Sequence, residues 1–142
     1  MKTIQLRQNK EKALLRRHPW IFSGAIGRMD PGIGDGEIIS VRDSKGAHLG
    51  CGYYNSRTQI AVRMLSFGDR EVTDTYLREL VRAAAARRAA NPLLGDTDSY
   101  RLIFSEGDFL PGLIVDTYAG HLVMQCLTLG MDRLRETIVT IL

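Results

Sequence analysis

The sequence predicts an α+β chain in two parts: a small β-rich unit with one short helix over residues 1–70, and an α+β segment over residues 71–142. Three observations carry this. Residues 3–65 hold short apolar or alternating runs separated by Gly, Pro, Asn and Asp clusters, the pattern of strands joined by tight turns. From Thr73 or Asp74 the period changes to that of an amphipathic helix. Two further apolar runs, 113–115 and 122–127, then face each other across Tyr118-Ala119-Gly120-His121.

Taken in order, Thr3-Ile4-Gln5-Leu6 alternates and reads as a strand. Asn9 is placed to cap a helix over Lys10 to Arg16, which must stop near His18 because a residue before proline disfavours helical geometry. Ile21 to Ile26 reads as extended, and Asp30-Pro31-Gly32 as a turn. After Gly34-Asp35-Gly36, a strand over 37–41 and a second over 47–54 are joined by Asp43-Ser44-Lys45-Gly46. Asn55-Ser56-Arg57 turns the chain into a strand over 59–65, and Phe67 to Arg70 forms the seam. Beyond it, Leu77, Leu80, Val81, Ala84 and Ala85 share one helix face, and Asn91-Pro92 ends that helix. Leu102-Ile103-Phe104 reads as a strand, Ser105 to Gly112 as an acidic turn, and Gly130 to Leu142 as a helix with Leu134, Ile138 and Ile141 on one side. That helix ends on an apolar run without a cap, as a piece of a longer chain does.

At 44% hydrophobic, 142 residues suffice for one domain or two small ones. No run approaches the roughly 18 apolar residues of a membrane span, and the N-terminus lacks a signal-peptide core, so no membrane partner is expected and the expected location is the cytoplasm. Cys51 and Cys126 read as buried, reduced thiols with no close-spaced partner for a metal. Charge is unevenly spread: residues 1–30 carry seven Lys/Arg against two acids, whereas 71–142 carry seven against ten. The basic excess at one end points to a polyanion.

The sequence contains no GxxxxGK[ST] loop, no strand-borne GxGxxG, no nucleophile elbow and no HExxH helix. Asp96, Asp98, Glu106, Asp108 and Asp116 could suggest carboxylate or metal chemistry, but Asp96 and Asp98 lie among turn residues that bond their own backbone. No catalytic residue and no metal site is expected within these residues.

The stretch "KALLRRHPWIFSGAI", residues 12–26, sets the only tryptophan beside the densest positive charge. Lys10, Lys12, Arg16 and Arg17 offer charges to phosphates, arginine adding a bidentate fork. Trp20 either packs with Phe22 in the core of the β-unit or stacks on a base. Ser23-Gly24 either lets a ligand backbone approach or simply starts a strand tightly.

These residues carry a resemblance. "LLRRHPWIFSGAI" followed by "GCGYYNSRTQIAVRML" is similar to the N-terminal PUA domain of the bacterial 23S rRNA 5-methylcytosine methyltransferases, which use S-adenosylmethionine. "SYRLIFSEGDFLPGLIVDTYAGHLVMQ", residues 99–125, resembles the linking domain of that family. The resemblance implies a PUA-like small β-barrel over 1–70 and an α+β linking domain over 71–142, truncated before the methyltransferase domain. It implies ribosomal RNA as partner, contacted through Lys12, Arg16, Arg17, His18, Trp20, Ser23 and Gly24, with Tyr54, Asn55, Ser56 and Arg57 on a neighbouring loop. Arg101, Glu106, Asp108 and Pro111 match the linking-domain signature, shaping that domain or docking the methyltransferase domain of the same parent chain. S-adenosylmethionine is expected for the full-length parent, no cofactor for this segment, and homodimerisation is a further option. Two rival readings stay open: a stand-alone RNA-binding module, and a protein-interaction scaffold whose basic edge meets an acidic protein.

Overall fold

In the computed structural model, which describes residues 1–142, the alternation of Thr3-Ile4-Gln5-Leu6 becomes strand β1 (Thr3–Leu6), with Ile4 and Leu6 buried. It opens the first of two units, Met1–Val72 and Thr73–Leu142. The first unit continues with α1 (Lys12–Leu15), β2 (Trp20–Phe22), β3 (Ile26–Met29), β4 (Ile38–Arg42), β5 (His48–Tyr54) and β6 (Ile60–Met64). They form one six-stranded sheet in the order β2-β6-β5-β4-β1-β3, in which β1 and β4 are the parallel pair.

This order forces the sheet to curl. β2 and β3 lie at opposite edges, yet only Ser23–Ala25 joins them. Four Cα steps span at most about 14 Å, whereas five flat strand spacings cover about 24 Å. The edges must approach, and the sheet wraps into a half-barrel around Ile4, Leu6, Leu14, Ile21, Ile39, Val41, Val62 and Met64. The extended run expected over Ile21–Ile26 is therefore interrupted by a 3-10 turn where the chain crosses from one edge to the other.

The short helix also differs from the expectation. Asn9 has φ of 62°, a left-handed conformation that an N-cap does not use, so the helix starts at Lys12 with Glu11 before it. At its other end the His18 N–H donates to Ala13 C=O and the Arg17 N–H to Leu14 C=O. This paired closure is a Schellman motif, ended by Pro19.

The second unit begins with α2 (Asp74–Ala89), capped where expected: Thr73 Oγ1 accepts from the Tyr76 N–H. Leu77, Val81 and Ala84 are its buried positions. A three-stranded antiparallel sheet follows, β7 (Ser99–Phe104), β8 (Leu113–Tyr118) and β9 (His121–Cys126), with β8 central. The β8–β9 hairpin pairs Tyr118 with His121 around Ala119-Gly120, both at positive φ, which is the twist-matched two-residue turn. The single helix expected over 130–142 is two, α3 (Leu129–Arg133) and α4 (Arg135–Ile141). At Leu134 ψ is 3° and its N–H donates to Met131 C=O, three residues back, which breaks the helical ladder. No helix is long and apolar enough to cross a membrane.

Candidate nucleic-acid interface

Period two along β2 puts Ile21 inward, at 2% exposure, and leaves Trp20 and Phe22 on either side of it less buried. Phe22 is half-exposed, so the reading that packs it in the core is corrected; Trp20 is intermediate. Across the ladder Trp20 pairs with Arg63 of β6, which sets a guanidinium-bearing residue beside the indole. The Trp20 N–H donates to His18 Nδ1 at 3.2 Å, and the two rings meet edge to face with centroids 5.6 Å apart.

Beside these rings lies a hollow of about 500 Å³. It is lined by the buried Leu14 and Ile21, by Ala13, Trp20, Phe22, Gly24 and Ala25, and by Lys10 and His18. Arg17 stands on a different, smaller hollow with Leu14, Leu15, His48, Leu49, Phe67 and Gly68. Lys12 and Arg16 are exposed and line neither. The predicted cations thus surround α1 instead of converging on one point. None of Lys10, Lys12, Arg16 and Arg17 has a carboxylate within ion-pair distance, whereas Lys2 is paired with Glu37 and Arg57 approaches Asp35.

Arg17 occupies the left-handed position of the Schellman motif, φ 60°, where glycine is usual. A non-glycine residue there costs roughly 1–2 kcal/mol, partly offset by the greater unfolded-state entropy of glycine. Arg17→Gly is therefore expected to stabilise the first unit by about 0.5–1 kcal/mol while deleting a cation. Thermal unfolding followed by Trp20 fluorescence checks this; a lowered melting temperature would mean that the arginine side chain packs usefully against its hollow.

The loop Tyr54 to Arg57 sits apart from the hollow's lining. Tyr54 ends β5, Asn55 Oδ1 accepts from the Arg57 N–H, and the Ser56 N–H and Oγ both donate to Asp35. Its link to the basic stretch is through the backbone: the Ser23 N–H donates to Gln59 C=O. Lys10, Phe22 and Arg63 belong to the same surface. The sequence places Arg63 opposite Val62 in its own strand, but its register with Trp20 is not readable from spacing.

The linking-domain signature residues do structural work in the second unit. Asp108 is 1% exposed and accepts from Arg88 Nη1 (2.7 Å), Arg88 Nη2 (2.6 Å), Arg87 Nη2 (2.5 Å) and the Phe104 N–H (2.6 Å). Burial alone pushes its carboxyl up, but the hydrogen bonds from Arg88, Arg87 and Phe104 outweigh that and hold it below the usual carboxylate range. Arg101 forms a two-pronged pair with Asp116, its register partner, and stands over the Phe104 ring. Glu106 accepts from Ser105 Oγ, and Pro111 is buried. A second hollow of about 490 Å³, lined by Arg88, Arg101, Tyr100, Phe104 and Tyr118 among others, has its arginines already committed to Asp108 and Asp116. The second unit holds seven arginines against nine acids and the first twelve Lys/Arg against seven, so a polyanion is drawn to the first.

No three His, Cys, Asp or Glu side chains converge as a metal-ligand set. Cys51 is buried, Cys126 half-buried, and burial pushes both thiols up, away from nucleophilic character. The parallel pair β1–β4 has no glycine-rich turn opening a helix, and the second sheet is antiparallel throughout. The residues present do not fit an S-adenosylmethionine site.

A curled mixed sheet with a short helix over its edge and a basic, tryptophan-bearing flank defines a class. Residues 4–67 match the family model of the PUA-like domain, and the curled six-stranded sheet of the first unit is consistent with that fold. Over 139 residues, 96% of the chain, the sequence is 40% identical to the ribosomal RNA large subunit methyltransferase I of Yersinia pseudotuberculosis, and equally to that of Yersinia pestis. The chain spans 35% of the length of these relatives. Two solved structures share its fold over 99% of its length. One is a candidate SAM-dependent methyltransferase from Streptococcus mutans, at 21% identity and a TM-score of 0.80, of which the chain covers 37%. The other is a candidate methyltransferase complexed with SAH, at 20% identity and 0.83, of which it covers 36%. The resemblance to ribosomal RNA large-subunit methyltransferases with a PUA-like domain is borne out by these matches.

Proposed function

We propose that these 142 residues are the RNA-gripping portion of an S-adenosylmethionine-dependent ribosomal RNA (cytosine-5) methyltransferase of the cytoplasm. The observation that carries the reading is the set of unpaired cations around α1, beside the Trp20 hollow. Four positive side chains within eight residues repel one another and gain nothing from any acid nearby, so they stabilise a bound polyanion more than the fold. Ribosomal RNA is the partner named by the relatives. The cofactor and the methyl-transfer residues belong to the remainder of the parent chain, and the exposed Phe104, Tyr118 and Val123, which the strand register puts on one face of the second sheet, offer that remainder an apolar docking face. The second unit is read as the linking domain, its boundary with the first at 72/73.

The double variant Arg16→Ala, Arg17→Ala is expected to weaken binding of structured rRNA fragments and to flatten the dependence of log K on log salt by about 1–2 units. Fluorescence anisotropy at several salt concentrations measures both. An unchanged slope removes the two arginines from the interface. Equal displacement of the RNA by an acidic polypeptide would favour the scaffold reading instead.

A further inference from the structure

We infer that the hollow beside Trp20 takes one unpaired nucleobase, so that this chain grips single-stranded or bulged RNA in preference to continuous duplex. The inference rests on the RNA-gripping reading and adds the part of the RNA that is held.

The first argument is chemical mismatch. Phosphate contacts need cations, yet this hollow is lined by a single cation, Lys10, and mostly by apolar residues, the buried Leu14 and Ile21 among them. Its volume, about 500 Å³, lies in the range of about 300–1,000 Å³ typical of small-ligand pockets. A duplex buries its base faces in its own stack and presents only phosphate, sugar and groove edges. An unstacked base brings two apolar π-faces attached to an anionic backbone, which matches a mostly apolar hollow with Lys10 in its lining.

The second argument is the disposition of the walls. Trp20 and Phe22 both line the hollow from the edge strand β2, and Phe22 is 49% exposed with no intramolecular ring partner. His18 Nδ1 is occupied as acceptor by the Trp20 N–H, so Nε2 carries the proton and can donate to a base edge. Gly24 adds an independent observation. Its φ is not left-handed, and a Cβ there would meet nothing within 4 Å. Neither backbone nor packing explains the absent side chain, whereas a ligand approaching that wall does.

The experiment uses the 142-residue chain, whose sole tryptophan reports directly from this wall. Three probes are titrated: a short unstructured RNA, an abasic ribose–phosphate strand of the same length, and a blunt RNA duplex. The unstructured RNA is expected to quench Trp20 and to bind roughly ten- to a hundredfold more tightly than the abasic strand, with no comparable quenching by the duplex. Gly24→Leu fills the hollow and is expected to lower the affinity for the unstructured RNA to that for the abasic strand. Phe22→Ala, at an exposed position, is expected to reduce the same difference, and circular dichroism verifies that both variants fold. Equal binding of all three probes, or discrimination that survives in folded Gly24→Leu, overturns the inference and leaves the RNA reading standing. Binding of none of the three overturns both.

Discussion

Replacing Asp108 by alanine is expected to destabilise the second unit by about 3–5 kcal/mol, the cost of removing one partner from a buried ion-pair network. The carboxylate receives two arginines and a backbone N–H while 1% exposed, and Arg88, itself largely buried, keeps its charge when the acceptor is gone. Chemical denaturation followed at 222 nm, where the 16-residue α2 contributes most of the helical signal, measures the loss. A loss under about 1 kcal/mol would mean that solvent reaches the arginines and serves them as well. The same carboxylate gives a pH signature. Its folded pKa is depressed, so its contribution is complete above the unfolded value of about 4 and is lost as pH falls through the lower folded value. Asp108→Asn is expected to flatten the acid limb of the stability curve below about pH 4, and an unflattened limb would assign that limb to other carboxylates.

Gly50→Ala is expected to cost the first unit about 3 kcal/mol or more, through forced contact and backbone strain together. β5 passes so close to the chain after β6 that a Cβ at Gly50 would lie 2.2 Å from Ser66 C=O, with φ at 141°. The obstacle is backbone and cannot swing aside. Gly52 has a similar constraint, its Cβ position being 2.4 Å from Arg63 C=O. Loss of the cooperative Trp20 transition at a temperature where the parent chain is folded is the expected readout. A variant as stable as the parent would require the 66–67 segment to move without cost.

Much of this fold was legible because its elements are local. Alternation marks β1 and β6, turn residues bound β4 and β5, and Thr73 or Asp74 marks the start of α2, since side-chain period, turn and capping chemistry act within a few residues. What could not be read was made by distant segments. The break at Ser23–Ala25 arises because the chain must cross between sheet edges, and that order is a property of the whole sheet. The Asp108 network joins residues 20 and 21 positions apart, a separation that no local pattern reports. Trp20, open between core and surface in the sequence, proves half-buried because β2 is an edge strand with a single neighbour. Sequence could nominate the basic stretch, but the hollow is a shape assembled from α1, β2 and the turn after it.

The placement of β2 has a bearing on when this surface comes into existence. Its sole ladder is to β6, whose residues follow it by about forty positions, as Ile21 with Val62. Until the chain has been synthesised through Met64, Trp20 and Phe22 belong to a free strand and the walls of the hollow have no fixed separation. Pairing at such a separation carries a loop-closure cost that local turns do not. A nascent chain therefore emerges with its cations already displayed but without the hollow beside them.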